Sequence, residues 1–164
     1  MVAPYPYYEY HVGLCFITDL ENQTYDIGIA CIDIFTKKAT VVPIRSKQSN
    51  YVLAGLMVCL NDMKHKPKLI YSDNEGSLNM KDILKYLDKE GIDLITTRNH
   101  AHVIERFIRT IKNRIRKRVD YDRKQGKDNV QWHTYLYPVL LTYNNKHEHS
   151  STGMTPAEAE KKEQ

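Results

Sequence analysis

Hydrophobic positions along the chain follow two different periods. Short apolar runs bounded by polar turns are typical of strands, and they occur at Val12–Thr18, Ile27–Phe35, Ala39–Pro43, Leu69–Ser72 and Ile92–Thr96. Apolar residues at helical spacing are found at Ser49–Met63, Met80–Lys89, Ile104–Val119 and Val130–Tyr143. A capping box at 155–158, with Pro156 at the first helical position, predicts a last short helix.

The order of these elements is β-β-β-α-β-α-β-α-α-α. Three consecutive strands followed by strands that alternate with helices predict an α/β fold with a five-stranded mixed sheet. We expect residues 1–11, which contain Pro4 and Pro6, to form an irregular lead-in, and residues 12–164 to form one domain. The length of 164 residues suits a single hydrophobic core.

Charge is distributed unevenly along the chain. The formal net charge is +4, but Arg98–Lys124 holds ten Lys and Arg against three acids. The rest of the chain carries 14 basic and 17 acidic residues. A basic segment of this kind indicates a polyanion partner or, alternatively, a solvated helix face.

Several classes of protein do not match this composition. No apolar stretch approaches the roughly 20 residues of a membrane span, and the N-terminal residues lack the pattern of a secretory signal. The three cysteines form no C-x-x-C pair and lie in apolar segments, which predicts reduced core thiols in a protein that is not secreted.

Three acids lie beside apolar segments, at positions where acids are costly. Asp19 follows the first predicted strand, Asp73 follows the fourth, and Glu105 lies in the first turn of the long helix. If the fold brings them together, they form a ligand set for Mg²⁺ or Mn²⁺, and two such ions can promote phosphodiester cleavage. Each acid also has an ordinary interpretation, as a turn residue or a partner of a helix dipole.

The helix that contains Glu105 carries cations at matching positions. Arg109, Lys112 and Arg116 follow Glu105 at i+4, i+7 and i+11 and therefore share its face of the helix. Such a face suits a phosphate backbone, although Glu105 and Arg109 could also form a simple i,i+4 ion pair.

Four segments resemble the catalytic core of retroviral-type integrases, the DDE superfamily with a ribonuclease-H-like fold. They are IDIFTK (32–37), YSDNEG (71–76), NHAHVIERFIRTIK (99–112) and a C-terminal tail that consists of Trp132, LLTYNN (140–145) and HEHSSTGMTP (147–156). Within this family the chain is most similar to integrases of Polinton/Maverick elements and virophages, with those of long-terminal-repeat retrotransposons as an alternative. Between Asp73 and Glu105 there are 31 residues, fewer than in retroviral integrases.

The resemblance implies roles for particular residues. Asp19, Asp73 and Glu105 are expected to be the catalytic acids and to bind two Mg²⁺ or Mn²⁺ ions; Asp26 and Asp33 are rivals of Asp19. The residues expected to contact DNA are Asn74, His102, Arg109, Lys112 and Arg116.

The resemblance also implies a function. We expect a polynucleotidyl transferase that processes the 3′ ends of element DNA and joins them to target DNA. We further expect a homodimer or higher multimer that binds double-stranded DNA, does not associate with membranes, and acts in the nucleus or within a virion, as part of a larger enzyme. The alternatives are a non-catalytic domesticated core that binds DNA or protein, and a ribonuclease-H-like nuclease.

Overall fold

The computed structural model describes residues 3–73, 76–96, 102–147, 149 and 152–161. Its strands are β1 Glu9–Phe16, β2 Ile27–Asp33, β3 Ala39–Ile44, β4 Leu69–Ser72 and β5 Asp93–Thr96. Its helices are α1 Ser49–Met63, α2 Lys81–Glu90, α3 His102–Lys124, α4 Leu136–Lys146 and α5 Pro156–Lys161. A 3₁₀ turn at Trp132–Tyr135 precedes α4.

All five strands form one sheet in the order β3-β2-β1-β4-β5. The first three strands pair antiparallel, whereas β4 and β5 run parallel to β1. The predicted five-stranded mixed sheet is therefore confirmed. In such a sheet the carboxyl ends of the parallel strands β1, β4 and β5 lie at the same end of the sheet. Ligands commonly bind at that end in open α/β sheets.

Most element boundaries differ from the predicted ones by one to a few residues, and two differences are informative. The first strand begins at Glu9 and ends at Phe16, whereas Val12–Thr18 was predicted. Its first half was missed because the buried polar residues Glu9 and His11 interrupt the apolar pattern there. The predicted helix at Val130–Tyr143 is divided into the 3₁₀ turn and α4. Trp132 explains this division, since its indole Nε1 donates to the Tyr25 carbonyl and its backbone N donates to Gln23 Oε1 at 2.8 Å.

The two faces of the sheet pack against different helices. On β1 and β2, Cys15, Ala30 and Ile32 face α3 and α4, whereas Val12 and Ile29 face α1 and α2. Odd-numbered positions of β1 therefore point toward α3, as the alternation of a strand requires.

The long helix α3 buries one stripe and exposes the opposite face. Its buried residues are Ile104, Phe107, Ile111, Ile115 and Val119. Gly13 lies next to Ile104, and the Lys112 ammonium donates to the Phe16 carbonyl at 2.8 Å, so that α3 runs alongside β1 in the same direction. This packing places the first turn of α3 near the middle of β1. None of the described helices combines the length and apolar character needed to cross a membrane.

Candidate functional site

Asp73 stands at the carboxyl end of β4, beside the middle of β1. The parallel register pairs Val12 with Ser72, so Gly13 and Asp73 are the next neighbours across the two strands. Neighbouring strands lie about 4.8 Å apart. His11 and Tyr71 form the pair two residues before Gly13 and Asp73, and their ring centroids are 5.2 Å apart. Side chains at positions 11, 13, 71 and 73 therefore share one face of the sheet. Asp73 is half-buried and continues that face.

Glu105 approaches the same end of the sheet from the helix side. It lies in the first turn of α3, directly after Ile104, whose side chain contacts the Cα region of Gly13. The Glu105 carboxylate is exposed, and the His102 imidazole lies 4.0 Å from its Oε2. Gly13 therefore adjoins both Asp73 and the first turn of α3, and the two acids flank the same place in the fold.

Asp19 lies elsewhere. It follows the end of β1 by three residues, and its carboxylate Oδ2 accepts hydrogen bonds from Arg116 Nε at 3.3 Å and Nη2 at 3.2 Å. Arg116 comes eleven residues after Glu105, which corresponds to about 16 Å along a helix axis. The structure thus places Asp19 beside the third turn of α3 after Glu105 and does not bring it to Glu105.

The two rivals of Asp19 also lie away from Glu105. Asp33 is fully buried, pairs with Tyr10 on the sheet face that contacts α1, and accepts hydrogen bonds from Tyr7, Phe35 and Thr36. Burial raises the pKa of Asp33, an effect that these hydrogen bonds partly offset. Asp26 is exposed in the hairpin before β2, where its carbonyl accepts a hydrogen bond from Ile17 N at 2.8 Å.

Three buried residues of β1 were missed by the sequence analysis. Gly13 is one of them, and a glycine inside a strand is a known signal of close backbone approach. The others are Glu9 and His11, both buried, whose Oε1 and Nε2 atoms are 3.3 Å apart. Polar residues buried in a strand were a second signal, since such groups need partners in the fold.

The predicted DNA-binding residues of α3 occupy one face, but they are not equivalent. Arg109 is exposed, Arg116 is paired with Asp19, and Lys112 is anchored on the Phe16 carbonyl with part of its side chain buried. His102, at the start of α3, is exposed. Asn74 lies outside the described residues.

The donor set around Asp73 and Glu105 suits a hard divalent cation, because carboxylate oxygens are the ligands that Mg²⁺ and Mn²⁺ prefer. The set is small, however. Among the residues that the structure describes, no group of three His, Cys, Asp or Glu side chains is arranged to hold a metal ion. The described residues therefore do not supply a complete ligand set for two ions.

Comparison with known proteins identifies relatives by sequence, although no family model matches the chain. Over 145 residues the chain is 30% identical to the retrovirus-related Pol polyprotein from transposon 297 of Drosophila melanogaster, covering 87% of this chain and 13% of that protein. It is also 25% identical over 99 residues to a putative uncharacterized transposon-derived protein of Caenorhabditis elegans, covering 59% of this chain and 35% of that protein. The chain thus spans a small part of the polyprotein and about a third of the second relative.

Solved structures show the same fold. The catalytic core domain of HTLV-2 integrase, solved with magnesium in a trimeric form, superposes with a TM-score of 0.79 at 16% identity, covering 96% of this chain and 99% of that chain. The simian T-cell lymphotropic virus intasome, solved with the PP2A regulatory subunit B56 gamma, gives a TM-score of 0.83 at 14% identity, covering 98% of this chain and 56% of that chain. The expected ribonuclease-H-like fold of integrase cores is confirmed, and the chain is similar to a segment of a retrovirus-related Pol polyprotein.

Proposed function

We propose that the chain binds DNA as an integrase-type catalytic core, through the face of α3 that begins at Glu105. The observation that carries this proposal is the arrangement of Arg109, Lys112 and Arg116 along one face of α3, leading away from the two acids near the carboxyl end of β4. Cations spaced along one helix face can contact successive phosphates of a nucleic-acid backbone. The similarity to a retrovirus-related Pol polyprotein supports DNA as the polyanion.

The chemistry proposed for this site is metal-dependent polynucleotidyl transfer, with 3′-end processing and strand transfer of element DNA as its steps. An integrase core of the same fold was solved with magnesium, which supports a divalent cation as the cofactor. Asp73 and Glu105 are the residues that would hold it. When bound, such an ion lowers the pKa of a coordinated hydroxyl and offsets charge at the scissile phosphate. The cations of α3 would hold the neighbouring phosphates in register.

Assembly into a multimer on double-stranded DNA is part of the same proposal. The related structures include dimeric and trimeric integrase cores and an intasome. Action on chromosomal DNA in the nucleus, or packaging in a virion, and an origin in a Polinton or virophage element remain predictions from the sequence.

DNA binding is tested with a double variant, Arg109→Ala with Arg116→Ala, and fluorescence anisotropy of a labelled duplex in metal-free buffer. We expect the affinity to fall about tenfold, and the slope of log K against log salt to shrink by about 0.9 for each phosphate that the variant no longer neutralises. Lys117→Ala is the matched control, because Lys117 is exposed on α3 but lies about 100° around the helix from Arg116. An equal fall in affinity for the control and the double variant would contradict the proposed face.

Phosphodiester transfer is tested separately with Mg²⁺ or Mn²⁺ and a duplex that carries a recessed 3′ end. We expect nicking or joining to disappear in Glu105→Gln, a variant that keeps the size of the side chain and removes its charge. Transfer that continues unchanged in Glu105→Gln would exclude Glu105 from the site.

A further inference from the structure

Gly13 lies next to both candidate metal ligands, Asp73 on β4 and Glu105 on α3. The parallel register places it beside Asp73, and its Cα faces Ile104, the neighbour of Glu105 on α3. A side chain at position 13 would start between the strand that ends at Asp73 and the first turn of α3. This position is buried, and the glycine contributes no side-chain atom that could bind a cation.

Nothing in the backbone requires glycine at this position. Gly13 lies within a regular antiparallel ladder, opposite Ala30, and is not among the described residues with positive φ. A Cβ atom built there would lie 3.4 Å from Ile104 Cγ1, 3.7 Å from Ile104 Cγ2 and 3.8 Å from Ile108 Cδ1. These are ordinary van der Waals distances, so a Cβ atom at position 13 needs no displacement of its neighbours.

We infer that the metal centre lacks a third carboxylate because residue 13 is glycine, and that the chain therefore does not hold a two-ion site. This inference rests on the proposed function, in which Asp73 and Glu105 bind the cation. Two divalent ions bring four positive charges, and the two carboxylates found there among the described residues offset only half of them while leaving most coordination positions to water. An aspartate at position 13 would add a third carboxylate beside Asp73 and Glu105 and would offset part of the remaining charge.

Asp19 does not replace that carboxylate in this fold. Its oxygen is engaged by Arg116, about 16 Å along α3 from Glu105. A cationic partner also lowers the tendency of a carboxylate to attract a second cation. The acid that the sequence pattern suggested as the first metal ligand is therefore engaged in an ion pair with Arg116 at the third turn of α3 after Glu105.

Calorimetric titration of the whole chain with Mn²⁺ tests the inference. We expect the wild-type chain to bind at most one ion, weakly and in a manner that depends on Glu105. Gly13→Asp should bind Mn²⁺ at least tenfold more tightly and should approach two ions per chain. Gly13→Ala adds the same Cβ without a carboxylate and should titrate like the wild type, as should Asp19→Asn.

The inference fails if the wild type binds two ions with Glu105 dependence, if Asp19→Asn weakens binding as much as Glu105→Gln, or if folded Gly13→Asp gains no affinity. Thermal unfolding of Gly13→Asp shows whether that variant is folded. If it is not folded, the number of ions bound by the wild type and the Mn²⁺ affinity of Asp19→Asn test the inference instead. DNA binding in metal-free buffer is measured on the same proteins. DNA binding needs no cation, so a wild-type chain that does not bind DNA would overturn the proposed function. A wild-type chain that binds DNA and also binds two ions would overturn only this inference.

Discussion

Arg116 donates two hydrogen bonds to one oxygen of Asp19, from Nε at 3.3 Å and from Nη2 at 3.2 Å. Both side chains are about half exposed, so water screens the pair and its contribution to stability is small. Its main consequence is electrostatic. Asp19 neutralises one of the cations on the face of α3 that we propose for DNA.

Asp19→Asn is expected to raise DNA affinity by about two- to fivefold at low salt, since it removes a negative charge next to a phosphate-binding cation. The free energy of unfolding should change by less than about 1 kcal/mol, because the ion pair is exposed. Anisotropy titrations at several salt concentrations measure the first effect, and urea unfolding measures the second.

Asp88→Asn is the control for this prediction. It removes the same charge from an exposed position on α2, which packs on the opposite face of the sheet from α3. A similar gain in DNA affinity for both variants would show an effect of net charge alone, and the proposed role of Arg116 in binding would then be wrong.

Asn144 on α4 makes a pair of hydrogen bonds with the backbone of the edge strand β3. Its Oδ1 accepts from Ala39 N at 3.0 Å, and its Nδ2 donates to Ala39 O at 3.0 Å. The side chain thus occupies the hydrogen-bonding positions that a further strand would use at this residue. Asn144 of the LLTYNN segment therefore has a structural role in this fold.

Asn144→Ala is expected to lower the free energy of unfolding by about 1–3 kcal/mol, because two backbone groups lose their partners. Asn145→Ala is the control, since Asn145 is exposed and donates a hydrogen bond within its own helix, to the Leu141 carbonyl. Urea unfolding of both variants checks the difference. If Asn145→Ala costs as much as Asn144→Ala, the contact with β3 does not have the stabilising role assigned to it.

His149 gives the C-terminal segment a pH-dependent stability. Its ring lies 4.6 Å from that of His147 and 5.2 Å from that of Tyr143, with Arg114 and Lys37 as nearby cations. Burial, and then these positive neighbours, lower the pKa of His149 to about 4. Since the unfolded chain takes up the proton at about pH 6.5, stability is complete above that pH and is lost as the pH falls toward 4.

We expect the wild type to lose about 1 kcal/mol of unfolding free energy between pH 7 and pH 5, a discounted figure because His149 is partly exposed. His149→Gln cannot titrate and should lose less over the same range. Urea unfolding at the two pH values provides the measurement. An identical pH dependence in His149→Gln would mean that other groups cause it.

The sequence pattern predicted the order of the strands and helices because each element carries its own local period. It also predicted the exposed face of α3, since residues such as Glu105 and Arg116 are related by helical spacing alone. The composition of the site was harder to predict. Whether Asp19 or Gly13 lies beside Asp73 depends on the register between β1 and β4, which joins residues about sixty positions apart and leaves no local signal.

A shift of a few residues in β1 had a large effect on that prediction. An expected strand at Val12–Thr18 places Asp19 at its carboxyl end, whereas the observed strand ends at Phe16 and leaves Asp19 in the following loop. The buried pair Glu9 and His11 belongs to the strand despite its polarity. Element boundaries depend on tertiary contacts of this kind, and they decide which residue faces a site.

Gly13 and Gly28, the two glycines inside the sheet, are expected to respond differently to substitution by alanine. At Gly28 a Cβ atom would lie 2.9 Å from Val41 Cγ1 and 3.0 Å from Trp132 Cη2, and Trp132 is fully buried and held by its bond to Tyr25. Gly28→Ala should therefore destabilise the protein by about 1–3 kcal/mol through overpacking. Gly13→Ala, with contacts of 3.4 Å or more, should change stability by less than about 1 kcal/mol. Thermal and urea unfolding compare the two variants; an equal loss of stability at both positions would contradict the conclusion that position 13 has room for a side chain.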